Sequence, residues 1–200
     1  MSKVLLLLAD GFEMLEASAF IDVMGWNLVD GDGTTELYTC GLQKEVKSSF
    51  NQKVIVDFLI GDVDLDAFEA LAIPGGFEEY DFYKDAYDER FLDLIRGFKA
   101  KDKLIASICV AALPIGKSGV LADKRGTTYN KNAVRQETLK GFGVHVMNEP
   151  IVMDDNIITS WNPSTAVDVA FLLLEKLTSK ANANCIREIM GFDPVNNAKA

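Results

Sequence analysis

Histidine occurs once in this chain, at position 145, and cysteine three times, at 40, 109 and 185. No two cysteines stand in a CxxC spacing, so the usual signature of a zinc site is missing and no metal is expected. Basic residues are also scarce. Twenty Lys and Arg against thirty Asp and Glu leave a formal charge of -10 at pH 7. Such a surface repels phosphates and argues against nucleic acid as the main partner. Nowhere do 18 apolar residues run together, so no segment reads as a membrane span. The apolar start, VLLLL at 4–8, stops at Ala9-Asp10 and is shorter than a secretory signal needs. Reduced thiols and a cytoplasmic location are therefore expected. There is no internal repeat, no low-complexity linker and no phosphate loop. We read one domain over 1–192 with a polar tail at 193–200, and no cofactor.

What the chain does contain is the raw material of a core. Hydrophobic residues make up 48% of its 200 positions and charged residues 25%, as in ordinary globular proteins. KVLLLLA reads as a strand buried on both faces, because its apolar residues do not alternate. Residues 13–29 follow with helical spacing. TELYTC, AFEALAI and KLIASI read as further strands, and KEVKSSFNQKVIVDF as a small hairpin. DERFLDLIRGFKAK is an amphipathic helix with Phe91, Leu94, Ile95 and Phe98 on one face. NAVRQETLKGFG is helical with a glycine stop, and NPSTAVDVAFLLLEKLTSK opens on a cap residue and a proline before a long helix. VHVM, IVMD and IITS are short strands, the last two joined by an Asp-Asn turn. Strands alternating with helices predict an α/β domain with a mostly parallel, doubly wound sheet. In such sheets ligands sit at the carboxyl ends of the strands.

Three of those ends carry suggestive residues. Glu16 begins the first helix and shares its apolar stripe with Phe20 and Val23, where a bare charge is costly. A carboxylate at the stripe's margin, welcome near a helix N-terminus, explains the spacing equally well; Glu13 reads as solvated. Gly75 and Gly76 follow a strand directly in AIPGG. Two glycines there permit a ligand to approach the backbone, with the Gly76 amide turned into a site, or simply make a tight turn. Cys109 sits where KLIASI ends and a helix begins, as in a nucleophile elbow. Unpaired first-turn amides and the helix dipole are expected to lower its pKa, and the Val110 amide is placed to hold an oxyanion. A lone cysteine in an apolar run is otherwise a core residue, which is how we read Cys40 and Cys185.

Taken together, KVLLLLADGFEMLEASAFIDVM, ALAIPGG, LIASICVAA and IITSWNPSTAVDVAFLLLEKL resemble the PfpI/ThiJ family of the class I glutamine amidotransferase-like superfamily. The resemblance covers nearly the whole length in order and spacing. It implies a flavodoxin-like sandwich, a homodimer, and site roles by position: Cys109 as reactive cysteine, Glu16 as its protonated carboxyl partner, Gly76 and Val110 as oxyanion amides. It also implies pocket positions for Gly75, Tyr129 and Trp161. Many members carry a histidine twenty residues after the cysteine, where RGTTYN places Tyr129. His145 does not match that position and is read as structural. A tyrosine is a poor base at neutral pH, so slow turnover is implied. The leading expectation is a cysteine-dependent glyoxalase or deglycase acting on small-molecule or protein-adduct carbonyls. The alternatives are a redox sensor or stress chaperone working through oxidation of Cys109, and an intracellular peptidase or amidase.

Overall fold

A computed structural model describes residues 1–192; the polar tail at 193–200 lies outside the described residues. Seven strands form one sheet: β1 (Ser2–Leu8), β2 (Thr35–Gly41), β3 (Phe58–Leu59), β4 (Ala70–Ile73), β5 (Leu104–Ser107), β6 (Ile151–Asp154) and β7 (Ile157–Ser160). Their spatial order is β6-β7-β5-β4-β1-β2-β3. Every neighbouring pair is parallel except β6 and β7, which are antiparallel around the expected Asp-Asn turn. The sheet is thus mostly parallel with one antiparallel edge. The hairpin pairs Glu45–Lys47 with Lys53–Ile55. His145 belongs to a separate two-residue parallel pairing with Arg125–Gly126, outside the seven-stranded sheet.

The helices are α1 (Met14–Asp30), α2 (Phe82–Ala86), α3 (Glu89–Ala100), α4 (Ala112–Lys117), α5 (Ala133–Gly141), α6 (Ala166–Leu177) and α7 (Lys180–Ile189). They cover both faces of the sheet, which explains the unbroken apolar run of β1. Val4, Leu6 and Leu8 share one hydrophobic layer with Phe20 and Val23 of α1, Val169 of α6 and Ile186 of α7. Leu5 and Leu7 point the other way and join Phe91 and Ile95 of α3, Leu113 of α4 and Leu139 of α5. All five residues from Val4 to Leu8 are at most 1% exposed. Each fully buried side chain of this kind contributes about 1.5–3 kcal/mol, so β1 anchors both layers.

The winding reverses at β1, with β2 on one side and β4 on the other. That switch point opens a crevice at the strands' carboxyl ends, and three stretches of loop are knitted together there. Phe12, fully buried, bridges Gly76 after β4 and Ser48 beside the hairpin. Glu13 N–H donates to the Gly75 carbonyl at 2.7 Å, and Phe77 N–H to the Gly11 carbonyl at 3.0 Å. The fit leaves no room for a side chain at position 76: a Cβ there would lie 2.3 Å from the Gly11 carbonyl oxygen and 2.3 Å from the Phe82 ring. Gly76→Ala is therefore expected to destabilise the fold by about 1–3 kcal/mol through overpacking. Urea denaturation measures this; an unchanged midpoint would show that the loops can part without penalty.

Candidate active site

Glu16, Gly75 and Cys109 come from the ends of β1, β4 and β5, which are adjacent in the sheet. Glu16 lies in the first turn of α1 and is completely buried. Its Oε2 accepts a 2.7 Å hydrogen bond from Gly75 N–H, while Oε1 makes no aligned hydrogen bond among the described residues. The side chain within hydrogen-bonding reach of this carboxyl is the Cys109 thiol. Packing around the pair is tight. A Cβ on Gly75 would stand 2.9 Å from the Cys109 Cβ and 3.0 Å from Glu16 Oε2.

Cys109 occupies the elbow that its position suggested, with a refinement. The chain does not pass directly into an α-helix. A 3-10 turn at Cys109–Ala111 intervenes before the six residues of α4. Cys109 itself takes φ 59°, a left-handed conformation that costs a non-glycine residue about 1–2 kcal/mol. Its neighbours hold it there. Ile108 N–H donates to the Ile73 carbonyl at 3.2 Å, and the buried Thr128 hydroxyl donates to the Cys109 carbonyl at 2.9 Å. The Val110 N–H faces the Cys109 sulfur. Gly76 lines the same cavity, and its N–H has no partner among the described residues.

Electrostatics depart from the expected depressed thiol. Burial lifts the Glu16 carboxyl from 4.5 to about 8, against the pull of the Gly75 amide and with the push of the nearby Glu13 charge. Burial also pushes the Cys109 thiol up, and a charge on Glu16 pushes it further, while the Val110 amide pulls it down. One short 3-10 turn and a six-residue helix do not offset that desolvation. At neutral pH the pair therefore holds its protons, with the carboxylic acid beside the thiol.

The cavity in front of the pair has a volume of about 280 Å³. Glu16, Cys109, Gly76, Val110 and Tyr129 line it. Gly75 is buried behind Glu16 instead of lining the wall. Trp161, expected to narrow the pocket, does not line it; Pro163 takes that side. The Trp161 backbone N–H is tied to the Pro150 carbonyl at 3.1 Å, and its indole Nε1 is buried without a partner among the described residues. Tyr83 and Arg135 also line the cavity, although nothing in their local sequence set them apart. Thr128 lies in RGTTYN next to Tyr129, and only the fold reveals its bond to the elbow. Among the described residues no three His, Cys, Asp or Glu side chains are grouped to hold a metal, and no helix is long and apolar enough to cross a membrane.

The model of the DJ-1/PfpI family matches residues 2–176. A dj-1beta protein from Drosophila melanogaster is 30% identical over 185 residues, covering 90% of this chain and 92% of that protein. A deglycase from Thermococcus kodakarensis is 28% identical over 162 residues, covering 80% of this chain and 90% of the deglycase. A DJ-1 homolog A from Arabidopsis thaliana is 28% identical over 192 residues; the chain spans 47% of its length. The crystal structure of Drosophila DJ-1beta superposes with a TM-score of 0.82 at 26% identity, covering 95% of this chain and 98% of that one.

The raised carboxyl has a thermodynamic consequence. A folded state that binds the Glu16 proton more tightly than the unfolded chain loses stability as pH rises from 4.5 to about 8. The full loss is on the order of 5 kcal/mol. Glu16→Gln keeps an oxygen for the Gly75 amide but cannot ionise. Thermal melts between pH 5 and 8 are expected to show the variant gaining on the native protein as pH rises. A difference that stays constant across that range would mean Glu16 is not held protonated.

Proposed function

The chain belongs to the DJ-1/PfpI family, and from that premise we propose that it is a cysteine-dependent enzyme acting on small reactive carbonyl compounds, of the deglycase or glyoxalase type. The observation that carries this reading is the partly buried Cys109 thiol beside the fully buried Glu16 carboxyl, facing a cavity that Gly76 and Val110 also line. The deglycase among the relatives supports the same substrate class.

The chemistry follows from these groups. The Cys109 sulfur attacks the aldehyde carbon, forming an S–C bond as the C=O π bond opens. The negative charge that develops on oxygen is met by the Gly76 and Val110 amides. Glu16 gives its proton to that oxygen and takes the one leaving sulfur, so the product is a neutral hemithioacetal and the carboxylic acid is restored. Tyr129 stands where the resemblance puts a histidine in other members. A phenol is a weak base near neutrality, so proton removal falls to Glu16 and turnover is slow. A peptidase or amidase would need a general base that this arrangement does not offer.

A homodimer is part of the proposal. The outer side of α1 exposes Leu15, Ile21, Trp26 and Val29, apolar surface of the kind a second copy buries. A second reading, peroxide sensing at Cys109, draws on the buried Glu16 Oε1, which has no partner among the described residues and, when protonated, can donate to a sulfinic oxygen on the neighbouring sulfur. The raised thiol weighs against it, since oxidation needs thiolate.

Native protein is expected to consume methylglyoxal, and Cys109→Ser to lose activity on the order of 100-fold. The reaction needs the Glu16 proton, so the rate should fall as pH rises past about 8, where that proton is lost. Equal rates for the two proteins, or a rate that still climbs above pH 8, would sink the assignment. For the sensor reading, intact mass after mild peroxide must show Cys109 gaining oxygen before the exposed Cys185; the reverse order rejects it.

A further inference from the structure

The peptide unit between Cys109 and Val110 has a partner at each end. It is trans, so its C=O and N–H point to opposite sides. On one side the Val110 N–H faces the Cys109 sulfur. On the other the Thr128 hydroxyl donates to the Cys109 carbonyl at 2.9 Å. Thr128 is 0% exposed, so solvent does not compete for this bond.

Thr128 sits on a strap that is pinned before and after it. The Thr127 N–H donates to the Thr159 hydroxyl of β7 at 2.9 Å, and the Thr127 hydroxyl donates to the Met147 carbonyl at 2.9 Å. Beyond Thr128, the Asn162 side-chain amide donates to the Asn130 side-chain oxygen at 3.0 Å. Tyr129, between these ties, lines the cavity. The strap therefore fixes the Thr128 hydroxyl from outside the elbow, by way of β7, the strand beside β5. The elbow needs such a hold. A non-glycine residue at φ 59° keeps that conformation only where its surroundings enforce it.

We infer that Thr128 is a positioning residue for the reaction at Cys109: by holding the Cys109 carbonyl, its hydroxyl sets the shared peptide so that the Val110 N–H stays aimed at the sulfur. The bond also acts through the peptide. A carbonyl that accepts a hydrogen bond makes the N–H of the same unit a stronger donor, because linked hydrogen bonds polarise one another. Thr128 thereby stabilises negative charge on a sulfur that it does not touch. No bond changes at Thr128, and its proton stays on the hydroxyl. The role rests on the reading of Cys109 as the nucleophile and requires no particular substrate.

Alkylation by iodoacetamide reads the thiol directly, since the reagent reacts with thiolate. Peptide mass mapping follows Cys109, with the exposed Cys185 of the same molecule as internal control. Thr128→Val nearly keeps the side chain's shape and removes the donor. Cys109 is then expected to alkylate about fivefold more slowly at neutral pH, the factor that one hydrogen bond is worth, while Cys185 keeps its rate. A contact that merely held the fold together would move the rate the other way, because a loosened elbow exposes its thiol. Thr128→Ser keeps the hydroxyl and loses a methyl group. It should melt below the native protein yet alkylate within about twofold of it. Should Thr128→Val not fold, Thr128→Ala carries the same expectation for Cys109. With methylglyoxal, Thr128→Val should lower kcat about fivefold and leave KM unchanged. Equal or faster alkylation of Cys109 in Thr128→Val, or Thr128→Ser as slow as Thr128→Val, overturns the inference. Slowed alkylation in a protein that does not consume methylglyoxal supports the role of Thr128 and removes the carbonyl chemistry instead.

Discussion

The hydrogen bond from Gly75 N–H to Glu16 Oε2, 2.7 Å long and sealed from water, is the constraint on which the rest of the site depends. It joins the first turn of α1 to the end of β4, and the Cys109 elbow closes over it from the end of β5. The carboxyl can be buried only because one oxygen has this donor, and the donor is available only because position 75 carries no side chain. A Cβ at that position would stand 2.9 Å from the Cys109 Cβ, so three strand ends meet without spare room. The strained φ of Cys109 belongs to the same assembly. The Thr128 hydroxyl and the Ile73 carbonyl hold the backbone on either side of it.

Burial, more than any fixed charge, sets the character of the site. An elbow suggests a thiolate favoured by a helix dipole, but the dipole here comes from one 3-10 turn and a six-residue helix. Desolvation acts on both Glu16 and Cys109, and it moves both the same way, toward the protonated form. The first proton lost leaves a single charge for the pair. That charge falls on Glu16 and pushes the thiol further up, so reactivity rests with the protonated pair and waits on the arrival of an electrophile.

Much of this architecture was legible from residues alone, where a physical signal is local. The unbroken run of β1 announced a strand covered on both sides. Helical spacing put Glu16 on the buried stripe of α1, and full burial resolves the two readings that spacing left open. A cysteine at the end of an apolar strand announced the elbow, though not its left-handed φ, which depends on contacts from β4 and from Thr128. What stayed hidden was long-range. Tyr83 and Arg135 stand 52 positions apart in the chain and meet only when α2 and α5 close over the cavity. Trp161 was expected at the pocket from the family resemblance alone; its amide is bonded to Pro150, and Pro163 lines the cavity.

The same burial gives the cavity one chemical temper. Glu16, Cys109 and Tyr83 are three ionisable groups of very different ordinary acidity, and desolvation raises each of them. At neutral pH all three therefore carry protons, and the full charges lining the cavity are those of Glu13, Glu78, Glu79 and Arg135. The nearest permanent cation, Arg135, is paired with Glu78 and spends its face on the Tyr83 ring, so it does not stand free as an anchor for an anion. The surplus of acidic side chains lining the cavity favours neutral molecules over carboxylates. The nucleophile works under the same condition: an electrophile that needs no charged partner to bind can wait beside a protonated thiol, which gives up its proton to Glu16 only as it attacks. Selection for small neutral carbonyls then follows from the acidic lining, and slow turnover from the removal of water from the ends of three adjacent strands.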